Sequence, residues 1–120
     1  MTHLRSLLAV GLVALVVAVA PTFAASNATP KLQAAVGPGF TITLKKGGKK
    51  VTTLKKGKYT IVVADKSDIH NFHVRGPGVN KMTGVAFVGT KSFTVTLKAG
   101  RYTFICDPHP TSMKGSFRVS

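Results

Sequence analysis

From residue 40 to the C-terminus, apolar side chains fall on every second position. Phe40, Ile42 and Leu44 point one way, and Thr41 and Thr43 the other. The alternation recurs in Tyr59, Ile61 and Val63, in His70, Phe72 and Val74, and in Phe93, Val95 and Leu97. It returns in Tyr102, Phe104 and Cys106, and in Phe117 and Val119. A period of two with threonines on the other face predicts half-buried antiparallel strands. Gly47-Gly48, between Leu44 and Val51, predicts a hairpin turn. No stretch past the N-terminal apolar run has a helical period. Short strands in such number predict an all-β fold, a sandwich or a small barrel.

A near-repeat orients one strand. Thr53-Leu54-Lys55-Lys56-Gly57-Lys58-Tyr59-Thr60 resembles Thr96-Leu97-Lys98-Ala99-Gly100-Arg101-Tyr102-Thr103. Each is a strand end, a glycine turn and a new strand beginning Tyr-Thr. Extending the alignment sets Cys106 opposite Val63, on the inward face.

The N-terminus predicts export. Arg5 precedes an apolar run from Leu7 to Ala20, which is short for the roughly 30 Å hydrocarbon core of a bilayer. Pro21 breaks the run, and Thr22-Phe23-Ala24 fits a small-x-small cleavage site, with Ser26-Asn27-Ala28 as the second choice. We therefore expect a secretory signal over 1–24, a flexible tether over 25–35 and one domain over 36–120, in the periplasm, secreted or at the cell envelope. An uncleaved N-terminal anchor is the alternative. A core of this size is marginal by itself, so a bound metal would help to hold it.

Cysteine usage sharpens this. Oxidising compartments favour disulfides, yet Cys106 is the chain's one cysteine and has no partner within it. It is a ligand, a reactive thiol, an intermolecular partner or a buried hydrophobe. Its neighbours favour the first reading. Cys106, His109 and Met113 follow one another across a turn with Pro108 and Pro110, and His70 and His73 lie upstream. Two imidazoles, a thiolate and a weak thioether are the ligand set of a blue-copper electron-transfer site. Strand parity turns His70 inward with Phe72 and Val74. The same parity turns His73 outward with Asn71 and Arg75, which makes it a surface residue, and sets Asp107 opposite Cys106 as a turn residue.

Asp68-Ile69-His70-Asn71-Phe72 and Tyr102-x-Phe104-x-Cys106-x-x-His109-x-x-x-Met113 closely resemble the plastocyanin, amicyanin and pseudoazurin group of cupredoxins, over Phe40 to Ser120. Ile69 stands where that family often has proline. The resemblance implies a Greek-key β-sandwich holding one copper ion through His70, Cys106, His109 and Met113. It also implies that the backbone of Asn71 ties the histidine segment to the cysteine loop, and that His109 is the ligand nearest solvent.

The chain carries a formal charge of +14 and only three acids, Asp65, Asp68 and Asp107. No acid–base pair lies near the ligand motif, so a carrier is expected and not an enzyme. Lys45, Lys46, Lys49, Lys50, Lys55, Lys56 and Lys58 crowd one hairpin region. They read either as a solvated edge that resists aggregation or as a steering field toward an acidic redox partner or an anionic envelope surface. Export and the lack of interleaved aromatics argue against nucleic acid. We expect a monomer that carries single electrons by Cu(I)/Cu(II) cycling. The alternatives are a copper storage or delivery protein and a metal-free secreted β-sandwich that serves as a binding module.

Overall fold

Ten strands in two five-stranded sheets make up the domain of this computed structural model, which describes residues 9–23 and 28–120. In chain order they are β1 (Lys31–Val36), β2 (Ile42–Lys46), β3 (Lys49–Lys50), β4 (Thr53–Leu54), β5 (Gly57–Asp65), β6 (His73–Gly76), β7 (Val79–Met82), β8 (Gly89–Leu97), β9 (Gly100–Ile105) and β10 (Lys114–Val119). One sheet has the order β3-β2-β1-β5-β8 and the other β4-β10-β9-β6-β7. The pairs β1–β5 and β4–β10 are parallel, and every other pair is antiparallel.

The alternation becomes the core. Leu44, Tyr59, Ile61, Val63, Val95 and Leu97 project from one sheet, and Val74, Tyr102, Phe104, Phe117 and Val119 from the other, all buried. Phe72 stacks on Phe104 and Tyr102 on Phe117, with ring centroids 5.7 Å and 5.2 Å apart. Gly47 and Gly48 both take positive φ, 56° and 79°, the backbone of a two-residue hairpin turn matched to strand twist. The near-repeat is also structural. The Tyr59 hydroxyl donates to Lys55 O at 2.8 Å and that of Tyr102 to Lys98 O at 3.0 Å, so each tyrosine locks the turn that precedes its strand.

Two expectations need correction. The tether does not extend over 25–35, because Lys31–Val36 form β1 between β2 and β5, with Leu32, Ala34 and Val36 buried. The period Leu-x-Ala-x-Val was present in the sequence, but an alanine at its centre weakened it. Phe40 does not share the core face of Ile42 and Leu44. It follows Gly37-Pro38-Gly39, lies before β2 begins and is 60% exposed.

Residues 9–23 have no regular secondary structure. Among the described residues no helix is long and apolar enough to cross a membrane. The Arg5-bearing start and the expected cleavage after Ala24 lie outside the described residues.

Candidate metal centre

The strand leading to Cys106 ends at Ile105, and β10 begins at Lys114. The eight residues between them close on themselves. The Cys106 N–H donates to Met113 O at 3.0 Å, that of His109 to Cys106 O at 3.0 Å and that of Met113 to His109 O at 2.9 Å. This tight loop turns His109 back toward the cysteine. His70 reaches the same point from the segment before β6.

Three donor atoms converge there. His70 Nδ1 and His109 Nδ1 are 3.1 Å apart, and Cys106 Sγ lies 3.7 Å from the first and 3.6 Å from the second. A triangle with these sides has its centre roughly 2.0 Å from every corner, close to a metal–imidazole bond length. Cys106 and His70 are fully buried, and His109 is half-buried. Two imidazole nitrogens and a thiol facing one point can share one proton between a pair, whereas a single cation satisfies all three lone pairs. Among the described residues the other ring nitrogen of His70, Nε2, has no hydrogen-bond partner, so the polar contacts of that buried ring lie on its Nδ1 side. The donor set of two imidazoles and one thiolate suits copper. The residues therefore fit the ion that the sequence implies.

Met113 is fully buried at the end of the loop. Phe40, outside the core, sets its ring edge-on to both imidazoles, with centroids 5.0 Å from His70 and 4.8 Å from His109. It covers part of the centre that a strand position would have left open.

A polar network surrounds the donors. The Asn71 N–H points at Cys106 Sγ at 3.4 Å. The Asn71 side-chain amide donates to Asp107 Oδ2 at 2.8 Å and to Thr83 O at 3.1 Å, while its Oδ1 accepts from the Asp107 N–H at 2.8 Å. The neighbours of two donors, Asn71 beside His70 and Asp107 beside Cys106, are thus bound to each other twice. The expected backbone tie is present, and a side-chain tie that the sequence reading lacked accompanies it.

His73 is the main departure from that reading. It lies on the face opposite Val74, as parity requires, but that face is covered and the residue is buried. Its Nδ1 meets Asp107 Oδ1 at 2.8 Å and its Nε2 meets Asn80 Oδ1 of β7 at 2.6 Å. Asp107 is therefore more than a turn residue. Alternation identifies a face but not what lies on it. The available signal was that the one acid of the ligand loop follows the cysteine directly, while a second histidine stands three residues after the first.

Charge follows the same contacts. Burial pushes the Asp107 carboxyl up, but hydrogen bonds from Asn71 and His73, with the charges of His73 and Arg75, outweigh it and hold the carboxyl below its ordinary value. Asp65 goes the other way. Burial raises it, against the Ser67 N–H, the Thr83 hydroxyl and the charge of His70. Its carboxylate ends a chain in which the Phe72 N–H donates to Thr83 Oγ1 and that hydroxyl donates to Asp65 Oδ2.

Comparisons with known proteins agree with this geometry. No curated protein sequence is matched. Among solved structures the chain is similar to reduced rusticyanin at 26% identity, covering 80% of this chain and 82% of that one with a TM-score of 0.56. An NMR structure of reduced rusticyanin gives 25% identity, 75% and 76% coverage and a TM-score of 0.53. A further structure, described as the copper protein rusticyanin, shares the fold at 24% identity, with 79% and 80% coverage and a TM-score of 0.56. The family model for a cupredoxin-like domain matches residues 11–119, and the chain belongs to the cupredoxin-like family, an all-β sandwich in which His70, Cys106 and His109 are grouped as a candidate copper site.

Proposed function

We propose that this chain is an exported carrier of single electrons. In this reading His70, Cys106 and His109 would hold one copper ion, with Met113 as a weak fourth donor. The observation that carries the reading is the convergence of two imidazole nitrogens and a buried thiol on one point, at separations of 3.1, 3.6 and 3.7 Å. Copper bound there supplies a one-electron couple. The protein's part is to hold the donors still. The loop bonds of Cys106, His109 and Met113 and the double tie between Asn71 and Asp107 fix the ligands from both sides, so little rearrangement accompanies a change of charge. The Asn71 N–H points at the sulfur and draws on its electron density, one of the outer contacts that tune such centres. His109, half-buried between Pro108 and Pro110, offers its ring edge as the exit for the electron. An acidic redox partner suits a chain of charge +14. The apolar N-terminal run supports a place outside the cytoplasm, and the domain acts as a monomer.

The visible spectrum with added Cu(II) tests this. The native protein is expected to show intense thiolate-to-copper absorption, and Cys106→Ser to lose it, because a hydroxyl cannot supply that charge transfer. A Cys106→Ser variant that stays blue would refute the assignment. Met113→Gln is expected to keep copper and lower the reduction potential, since a harder oxygen favours Cu(II). An unchanged potential would leave Met113 as a core residue only. Reversible cycling with fast self-exchange separates a carrier from a copper store.

A further inference from the structure

One flank of the sandwich is open on both sheets. β3 covers β2 at Lys45 and Lys46, and the Val51 N–H reaches Leu44 O at 3.0 Å, so among the described residues Ile42 and Thr43 have no strand on that side. β4 covers β10 only at Arg118 and Val119, so Lys114 to Phe117 have β9 on one edge and, among the described residues, no strand on the other. Between these two edges lies a cleft of about 750 Å³. Half-buried Ile42 and Ile105 contribute its apolar surface, and four exposed cations, Lys45, Lys50, Arg101 and Lys114, line it. No carboxylate does. All three acids of the chain lie elsewhere, Asp65 and Asp68 around the link from β5 to β6 and Asp107 in the ligand loop. At the middle of the free β10 segment Gly115 carries no side chain, and the Phe104 ring occupies the place where one would go. The edge there presents bare backbone.

An unpaired sheet edge pairs with any extended chain through its N–H and C=O groups, and pockets along it select alternate side chains. The four cations select an acidic chain, and the Ile42–Ile105 surface selects apolar residues at every second position. We propose that this cleft docks an extended acidic segment of the redox partner, added as a strand along Lys114–Phe117. This rests on the carrier reading and states where the partner binds. The position has a redox consequence. Lys114 is paired with Ile105, and the next bond of the same ladder is Cys106 N–H to Met113 O, which closes the ligand loop. A strand added to β10 therefore holds its owner beside the centre and leaves His109 uncovered.

The probe is a short acetylated peptide of alternating glutamate and valine, titrated into isotope-labelled Cu(I) protein. Three outcomes are expected. The amides of Lys114 and Ser116, which face away from β9, gain hydrogen-exchange protection. The combined substitution Lys50→Glu with Lys114→Glu lowers affinity at least tenfold. N-methylation of alternate peptide amides lowers it by a similar factor. A lysine-for-glutamate peptide is expected not to bind. Absence of binding, or binding that N-methylation leaves unchanged, overturns the proposal and reduces the lysines to a solvated edge. Protection that develops elsewhere overturns it too. The visible spectrum and oxidation by ferricyanide, recorded on the same samples, keep the two readings apart. A protein that turns blue on oxidation and cycles but ignores the peptide refutes the docking site alone, and one that stays colourless after ferricyanide oxidation refutes the carrier.

Discussion

The two ends of the sandwich are built on opposite principles. At the ligand end most polar side chains are spoken for, and many of them are buried. Asn71, Asp107, His73, Thr83 and Asp65 all bond to one another or to backbone, and all the acids of the chain lie there. At the other end the hairpin of β2 and β3 and the turn before β5 carry Lys45, Lys46, Lys49, Lys50, Lys55 and Lys56, all exposed. The first end fixes a geometry to fractions of an ångström. The second leaves its charge in water, where it acts at a distance and tolerates change. Substitutions should therefore be costly at one end and nearly silent at the other.

The largest effect short of removing a ligand is expected at Asn71. Asn71→Ala breaks both of its side-chain links to Asp107 and leaves Thr83 O without that donor. Removing partners of buried polar groups costs about 1–3 kcal/mol each, and loss of such outer contacts weakens metal affinity by roughly 10–100-fold. Denaturant midpoints and a copper competition assay check this. If Asn71→Ala behaves like a surface substitution, the contrast between the ends fails.

His73→Ala should come next. It leaves Asp107 Oδ1 and Asn80 Oδ1 without the imidazole, and about 1–2 kcal/mol of stability should be lost. His73 does not touch the three donors, so the blue colour should persist with a shifted potential. A His73→Ala protein that loses its colour altogether would make His73 a ligand.

Asp65 and Asp107 predict opposing pH dependences. The Asp65 carboxyl is raised in the folded state, so its protonated form is favoured there and stability falls as pH climbs from the unfolded value through the raised one. Asp107 is lowered, so it contributes stability above the ordinary carboxylate value and loses it as pH falls through the lowered one. Asp65→Asn should flatten the first slope and leave the second intact in urea titrations across the acid range. An unaltered profile would show that the buried carboxyl is better solvated than its contacts imply.

The smallest effect on the site is expected from reversing Lys45, Lys46, Lys49 and Lys50 to Glu. Stability should move by no more than about 0.5 kcal/mol per residue, as for exposed positions generally, and colour and potential should stay as they were. What should change is electron transfer to an acidic acceptor: its salt dependence weakens or inverts, and with Lys45 and Lys50 reversed the cleft no longer favours an acidic strand. A shifted potential would mean that the hairpin reaches the copper after all.

Much of the ligand end was legible because its chemistry is local in sequence. Cys106, His109 and Met113 sit on one short loop, and alternation alone turned His70 inward. The strands were legible wherever large side chains marked the period. β1 escaped because Ala34 is a weak marker, and Phe40 was misplaced because the Gly-Pro-Gly bend shifts the start of β2 beyond it. His73, Asn80 and Asp107 come from three separate elements, and only the pairing of β6 with β7 and β9 brings them together. No period along the chain encodes that meeting.

The parallel pairing of β1 with β5 gives the molecule a top and a bottom. Lys31 at the start of β1 lies beside Thr60, and Val36 at its end lies beside Asp65. The chain enters the sandwich at Pro30, which shares a surface hollow with Lys46, Lys49 and Lys50. The centre lies at the other end of strands up to nine residues long, roughly 30 Å away at strand rise. Charge and ring edge thus lie at opposite poles, with the lysine cluster gathered where the chain enters and His109 at the far end.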